Sequence, residues 1–433
     1  MSPRTYAPSP SLFAEDPDRY RKNGLHPLVI GDTLQDGRYR IVHKLGSGSF
    51  ATVWLARDAL ENTFVSLKIL SADTPPECKE LRILQDVTDS TAVHKGRDFV
   101  IRLHDNFVIE GPNGKHLCLV TAVAGERLAR KPGLPYDDLE WPRAIGLQIA
   151  QALGYLHMLG IAHGGERSPY STVPGRGGSA KMETDCYTSN ILFQLLPFND
   201  WSDEDIYACI GQPIKHYVRR LDGGPRGKNA PEYTVDAGNV AALQDRLFTN
   251  RIILIDFGGA FYHSERPVVI YTPAPFASPE IVFGGELTHA VDKWAFGCLL
   301  YELCANHSLI KLLFGWKNDA QKDQVAMLGK PPDALWQNWE ARDKYFNPNG
   351  TPREAQGRRL KVQPLSLEQR VRNLEKPLSE RGFGTGVAMP LPPNLQSLYD
   401  LLKGVIIYDA GARLSFEQIQ AHPFFIGADC STS

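Results

Sequence analysis

From Tyr39 onward short apolar runs alternate with turn residues, and further along the chain the spacing of apolar positions becomes helical. YRIVHKLG, ATVWLARD and TFVSLKIL, starting at residues 39, 51 and 63, are rich in β-branched and aromatic residues, which predicts three strands. PECKELRILQDV carries Leu81, Leu84 and Val87 at i, i+3 and i+6, which predicts a helix. FVIRLHDNFVIEG and KHLCLVTAV read as two further strands joined by the turn GPNG. Residues 39–123 are therefore expected to form a five-stranded antiparallel sheet with one helix. Beyond them WPRAIGLQIAQALGYLHMLG and VDKWAFGCLLYELCAN have helical spacing, and only NILF and RIILIDF read as strands. Segments 197–250 and 305–390 are mixed and look like insertions, with 347–390 the richest in loops. The expected fold class is α+β.

Composition narrows the setting. The 433 residues are 42% hydrophobic and 22% charged, with a formal net charge of −2, which is globular and gives no electrostatic reason to expect nucleic-acid binding. No stretch approaches eighteen apolar residues, so no membrane span is expected. The opening MSPRTYAPSPSLFAEDPDRYRKNG has no apolar h-region and carries acids, which argues against a secretory signal. Its Pro, Ser and charge content predicts a flexible leader over residues 1–35. Seven cysteines without a CxxC fit a reducing compartment and no structural zinc, and Cys118, Cys298 and Cys304 are expected as buried thiols.

Several stretches carry chemistry. In LGSGSFATVWLARD, Gly46 and Gly48 stand in a strand–turn–strand context, where glycines let backbone N–H groups approach a phosphate and Val53 caps an adenine ring; a plain hairpin turn uses the same residues. Lys68 lies in the middle of an apolar strand twenty residues after Gly48, and burying an unpaired ammonium is costly. It is expected to hold nucleotide phosphates while paired to Glu80 on the following helix, with Glu77 as the second choice. IDFGGAF ends a strand of buried type at Asp256, where a carboxylate suits Mg²⁺ and Gly258 frees the next turn. DCYTSNILF sets Asp185 and Asn190 five apart, as a proton-accepting base and a second metal ligand require, although turn caps use the same residue types. Glu280 and Arg413 suit a buried ion pair, and Asp292 suits an anchor for the backbone of the catalytic loop. Eight such elements in one order argue against coincidence.

The order resembles that of a eukaryotic protein kinase over about residues 36–426, and more narrowly that of the SR-protein kinases. The narrower likeness rests on GSGSFATVWLA, KELRILQDV, the GPNGKHLCLV turn, the insertion between Asn190 and Asp256, DQVAMLGKPPDALW and HPFF. It implies a two-lobed fold: an N-lobe over 36–123 with an antiparallel sheet and one helix, and a mainly helical C-lobe over 124–426. The C-lobe would carry a spacer-like insertion at 194–250 and another at 305–390, before a tail at 427–433. The resemblance implies transfer of a phosphoryl group from Mg·ATP to Ser or Thr of a protein substrate, Arg/Ser-rich in that family, by a monomer of the cytoplasm or nucleus. Leu45, Gly46, Ser47, Gly48 and Val53 would cover ATP, Val123 and Ala124 would form the hinge, and Thr121 the gatekeeper. Lys68 and Glu80 would form the ion pair, Asp185 would be the base, and Asn190 and Asp256 would hold Mg²⁺. The segment between DFG and SPE is short and nothing in it demands an activating phosphosite.

Three departures stand out. The place two after Asp185, usually Lys, holds Tyr187; Gly164 replaces the usual Arg; and His163 lies twenty-two residues before Asp185 in place of two. Residues 165–184 are the excess, and joining Gly164 to Asp185 restores HGDCYTSN. Gly165-Glu166 encoded GGT-GAG contains a GTGAG splice donor, and Thr184-Asp185 encoded ACA-GAC contains a CAG acceptor. Splicing between them removes 60 bases and rebuilds a GAC codon for Asp, so a retained intron is expected, against a genuine flexible insertion. The alternative to an active kinase is a pseudokinase or ATP-binding scaffold whose loop these residues disrupt.

Overall fold

The computed structural model describes residues 4–129, 139–165, 190–312, 316–354, 362–375 and 390–428. The chain divides into two compact units, one of residues 1–91, 101–126 and 192–253, the other of 92–100, 127–191 and 254–433.

In the first unit the strands are β1 (Thr33–Leu34), β2 (Tyr39–Ser47), β3 (Ala51–Asp58), β4 (Thr63–Leu70), β5 (Leu103–Gly111) and β6 (Gly114–Thr121), with helix α1 (Lys79–Asp89) between β4 and β5. The sheet runs β1-β2-β3-β4-β6-β5 and every pairing is antiparallel. The five expected strands and their helix are present; the short β1 is added, paired through Thr33 to Arg40. One face of the sheet buries Ile41, Trp54, Ala56, Leu67, Ile69, Cys118 and Val120. These alternate along their strands, as half-buried strands require.

Two segments depart from expectation. Residues 194–250, assigned to the C-lobe in the sequence reading, belong with the sheet. Helix Asp203–Ile210 presents Ile206 and Ile210, which with Phe198, Leu243 and Leu247 bury against Val42, Leu55 and Phe64. An apolar face this broad must be covered, and the sheet is the surface within reach. Residues 4–35, expected as a flexible leader, are packed. Tyr6, Tyr20 and Leu25 are buried with Val218 and Ala230, and Lys44 on β2 pairs with Glu15, whose other oxygen accepts from the Tyr20 hydroxyl. The Lys44 ammonium also lies 5.0 Å from the Trp54 ring centroid. A leader of polar composition stays ordered because its few large side chains and one carboxylate find buried partners.

The second unit is mainly helical. Helix Glu140–Met158 and helix Ala290–Ala305 are buried along most of their lengths, as their apolar runs predict. Gly96 lets the 3-10 turn Lys95–Phe99 approach the first of them, since a Cβ there would lie 1.8 Å from the Gln151 carbonyl oxygen. Helices Trp316–Leu328, Asp333–Gln337 and Leu367–Arg372 lie in the described part of the 305–390 insertion. Among the described residues no helix is long and apolar enough to cross a membrane.

Candidate active site

The sheet unit holds the residues expected on the nucleotide side. β2 and β3 form a hairpin in which Gly46 stands opposite Val53 and Ser47 opposite Thr52, and the Gly48 N–H donates to the Ala51 carbonyl at 3.0 Å. A Cβ at Gly46 or Gly48 would meet nothing within 4 Å. The fold itself does not demand glycine there, and the bare backbone leaves room for a ligand to approach. Val53 is in register with Lys68, so the two share one face of the sheet. The Lys68 ammonium donates to Glu80 Oε1 at 2.5 Å, while Glu77 is exposed. The Lys68 side chain is 27% exposed. Leu45 and Val123 pack against the same cluster as the 203–210 helix. Thr121 ends β6 opposite Ser66, and Ala124 follows as the first residue of a short strand, Ala124–Arg127.

The helical unit holds His163, Gly164, Asn190 and Asp256, expected at the loop and the metal. Strand Ile161–Ala162 pairs with Phe261–Tyr262, and His163 and Gly164 follow it. Their N–H groups donate to the two oxygens of Asp292, at 2.8 and 2.9 Å, which is the backbone anchor expected of that residue. Asp292 is 1% exposed and also accepts from His157 Nε2 at 2.9 Å. Burial pushes its carboxyl up, but the His157 hydrogen bond, the His157 and His163 charges and the Gly164 amide outweigh that and hold it below the usual range. His163 reaches the Ile255 carbonyl through Nε2 at 3.1 Å, and its ring meets Phe257 edge-on at 5.6 Å. The start of the loop is thus joined to the Asp256 strand.

Gly164 has φ +69°, and a Cβ there would lie 2.8 Å from the Gly259 carbonyl oxygen. An Arg at this place would need a different backbone. The Ile255 N–H donates to the Asn190 carbonyl at 2.8 Å, bringing the two proposed metal ligands onto neighbouring backbone. Asn190 is 4% exposed. Asp256 has φ +63°, a left-handed conformation that Asp tolerates better than most residues, and its Oδ1 accepts from the Gly258 N–H at 3.2 Å. A carboxylate and a side-chain amide oxygen form a donor set that suits a hard divalent cation. Asp185 and Tyr187 lie outside the described residues, as do 166–184 of the excess segment.

Glu280 and Arg413 form the expected buried pair, a two-pronged contact at 2.7 and 2.8 Å. Three imidazoles went unnoticed in the sequence. His263 stacks on His289 at 4.1 Å, and His157 lies 5.1 Å from His289 and 5.8 Å from His263. Burial first, then the charges of His157, His263 and Lys293, lower His289 from the ordinary 6.5 to about 4, against the opposing pull of Asp292. His263 is lowered by burial, then by His157, Arg266 and Lys293, again against Asp292. Because the folded value lies below the unfolded one, the contribution to stability is full above pH 6.5 and is lost as the pH falls towards 4. Melting midpoints followed through that window should drop for the unaltered chain and drop less for His289→Gln. Equal slopes would show that these rings carry no such linkage. A signal was available: His157 lies in the last turn of a helix, six residues before His163.

Comparison with known proteins agrees with this geometry. The protein kinase domain family matches residues 243–425. The serine/threonine-protein kinase SRPK of Physarum polycephalum is 28% identical over 353 residues, covering 78% of this chain and 77% of that protein. Protein kinase dsk1 of Schizosaccharomyces pombe is 38% identical over 428 residues, covering 82% of this chain and 78% of the relative. Human SRSF protein kinase 3 is 38% identical over 152 residues, which is 33% of this chain and 26% of that longer protein. With the ordered glycine hairpin, the Lys68–Glu80 pair and the Asp292-anchored loop already in place, the match to dsk1 over most of both chains leads to one conclusion: this chain belongs to the eukaryotic protein kinases, as an SR-protein-kinase-like serine/threonine kinase.

Proposed function

We propose that this kinase transfers the γ-phosphoryl group of Mg·ATP to serines in Arg/Ser-rich protein segments, with Asp185 as the base. The observation that carries the nucleotide half is the register of Val53 with Lys68, together with the Lys68–Glu80 contact. In this reading Lys68 holds the α- and β-phosphate oxygens, and Val53, Leu45 and the amides around Gly46, Ser47 and Gly48 cover the nucleotide. Val123 and Ala124 take the hinge. Asn190 and Asp256 hold the cation, whose part when bound is to neutralise charge on the phosphates. Asp185 accepts the proton of the substrate hydroxyl as its oxygen attacks. The Arg/Ser-rich class is supported by the name of the human relative, SRSF protein kinase 3. We place the protein in the cytoplasm or nucleus as a monomer acting on proteins, with no direct nucleic-acid contact, and propose a part in mRNA-splicing regulation.

The segment between Asp256 and Glu280 is held by internal bonds. The Thr272 hydroxyl donates to the Gly164 carbonyl at 3.1 Å, the Gln324 amide donates to the Ala277 carbonyl at 2.9 Å, and Phe276, Ala277 and Ser278 are buried. These contacts support a kinase that needs no phosphate on this segment. We further propose that 165–184 are a retained intron and that the form joining Gly164 to Asp185 is the active one. Tyr187 in the usual Lys place removes one cationic donor to the γ-phosphate, which lowers the rate of the remaining chemistry without removing its base. Phosphate incorporation into an Arg/Ser-rich peptide, compared with the same peptide carrying Lys for Arg, tests the substrate class. Equal incorporation into both would overturn it.

A further inference from the structure

Arg19 lies in a stretch, EDPDRYRKNG, that carries no catalytic motif, yet its side chain reaches the phosphate loop. Nη2 donates to the carbonyl oxygens of both Gly48 and Ser49, each at 2.6 Å. The base of that side chain is fixed from two directions. Asp16 accepts from the Asp18 N–H at 3.1 Å and caps the turn Pro17–Arg19, and the Leu25 N–H donates back to the Arg19 carbonyl at 3.1 Å. The next residue, Tyr20, is 2% exposed and bonded to Glu15, which in turn pairs with Lys44 on β2. The guanidinium is therefore delivered to the hairpin tip by a buried anchor on the same sheet.

The consequence follows from peptide geometry. In a planar trans peptide the N–H points opposite to the C=O. Holding the Gly48 and Ser49 carbonyls towards Arg19 turns the Ser49 and Phe50 N–H groups to the other side of the tip, as a pair of donors with a common direction. The next carbonyl, of Phe50, is held by the Ser71 N–H at 2.7 Å, and the Gly48 N–H by Ala51 at 3.0 Å. Hydrogen bonds from a cation to a carbonyl are stronger than neutral ones, and a loop ordered before binding loses less entropy on binding. We propose that Arg19 is a positioning residue that presets two amides of the glycine-rich loop for the phosphates of a nucleoside di- or triphosphate. The proposal rests on the kinase reading of that loop.

Release of a fluorescent N-methylanthraniloyl-ADP from the full chain tests it, with the phosphate-free N-methylanthraniloyl-adenosine as control. Arg19→Ala should speed release of the diphosphate about fivefold and leave the nucleoside unchanged, and Arg19→Lys should recover most of the difference because an ammonium donates to the same carbonyls. The melting midpoint should stay the same, since the buried anchor is untouched. Release from Arg19→Ala within about twofold of the unaltered chain, or equal acceleration for the phosphate-free nucleoside, would overturn the proposal alone. Failure of the unaltered chain to bind the diphosphate would overturn it together with the kinase reading.

Discussion

Replacing Lys68 by Met lowers phosphate transfer by about 10²–10³-fold, the loss found when one preorganised donor to developing charge is removed. Lys68 on β4 is in register with Val53 on β3, and its ammonium is aligned by Glu80 at 2.5 Å. Without it the phosphate oxygens lose a fixed positive partner, and Glu80, with only 11% of its side chain exposed, keeps a charge without its ion-pair partner from β4. Glu80→Gln should give a smaller loss, because it leaves the ammonium present but less well aimed. Steady-state transfer to a peptide at saturating ATP, with both substitutions made in the form lacking residues 165–184, measures both. Transfer by Lys68→Met within about tenfold of that shortened parent would remove Lys68 from the site.

Arg413→Ala should cost about 3–5 kcal/mol of stability in the helical unit, because removing one partner of a buried pair leaves the other charged and desolvated. Arg413 contacts both oxygens of Glu280, and also donates to the Ala290 carbonyl at 2.8 Å and to that of Ile407 at 3.2 Å. Its guanidinium lies 5.3 Å from the Trp294 ring centroid, and its side chain has no solvent exposure. Arg413→Lys should recover little, since an ammonium cannot make the fork that meets two carboxylate oxygens at once. Denaturant unfolding followed by Trp fluorescence measures the loss; a cost below about 1 kcal/mol would mean the pair is solvated in solution.

Much of this was legible before any coordinates. β3 and β4 were readable residue for residue because their β-branched and aromatic runs stop at turn residues. The Lys68–Glu80 pair was readable because a lone ammonium in an apolar strand requires a counter-charge on the next element. Asp292 and the Glu280–Arg413 pair were readable from their order along the chain. Other features depend on distance in sequence. Glu15 and Lys44 pair across a stretch whose composition alone predicts flexibility, so the order of residues 4–35 was missed. The 203–210 helix binds the sheet through Ile206 and Ile210, two residues too few to reveal their partner. The positive φ of Gly164 and the closeness of the Gly259 carbonyl belong to the tertiary packing, which no local pattern announces. The His157, His263 and His289 group comes from three separate segments, and no spacing rule gathers them.

We propose that His163 and Gly164 lead into a catalytic loop whose base is Asp185. It is tested most directly by transfer of labelled γ-phosphate to an Arg/Ser-rich peptide, comparing the full chain with a form lacking residues 165–184, each with and without Asp185→Ala. Clear incorporation by the shortened form, far less by the full chain, and a fall of about 10³-fold or more when Asp185 is replaced are the expected results. No incorporation by the shortened form, or incorporation that survives Asp185→Ala, would contradict it.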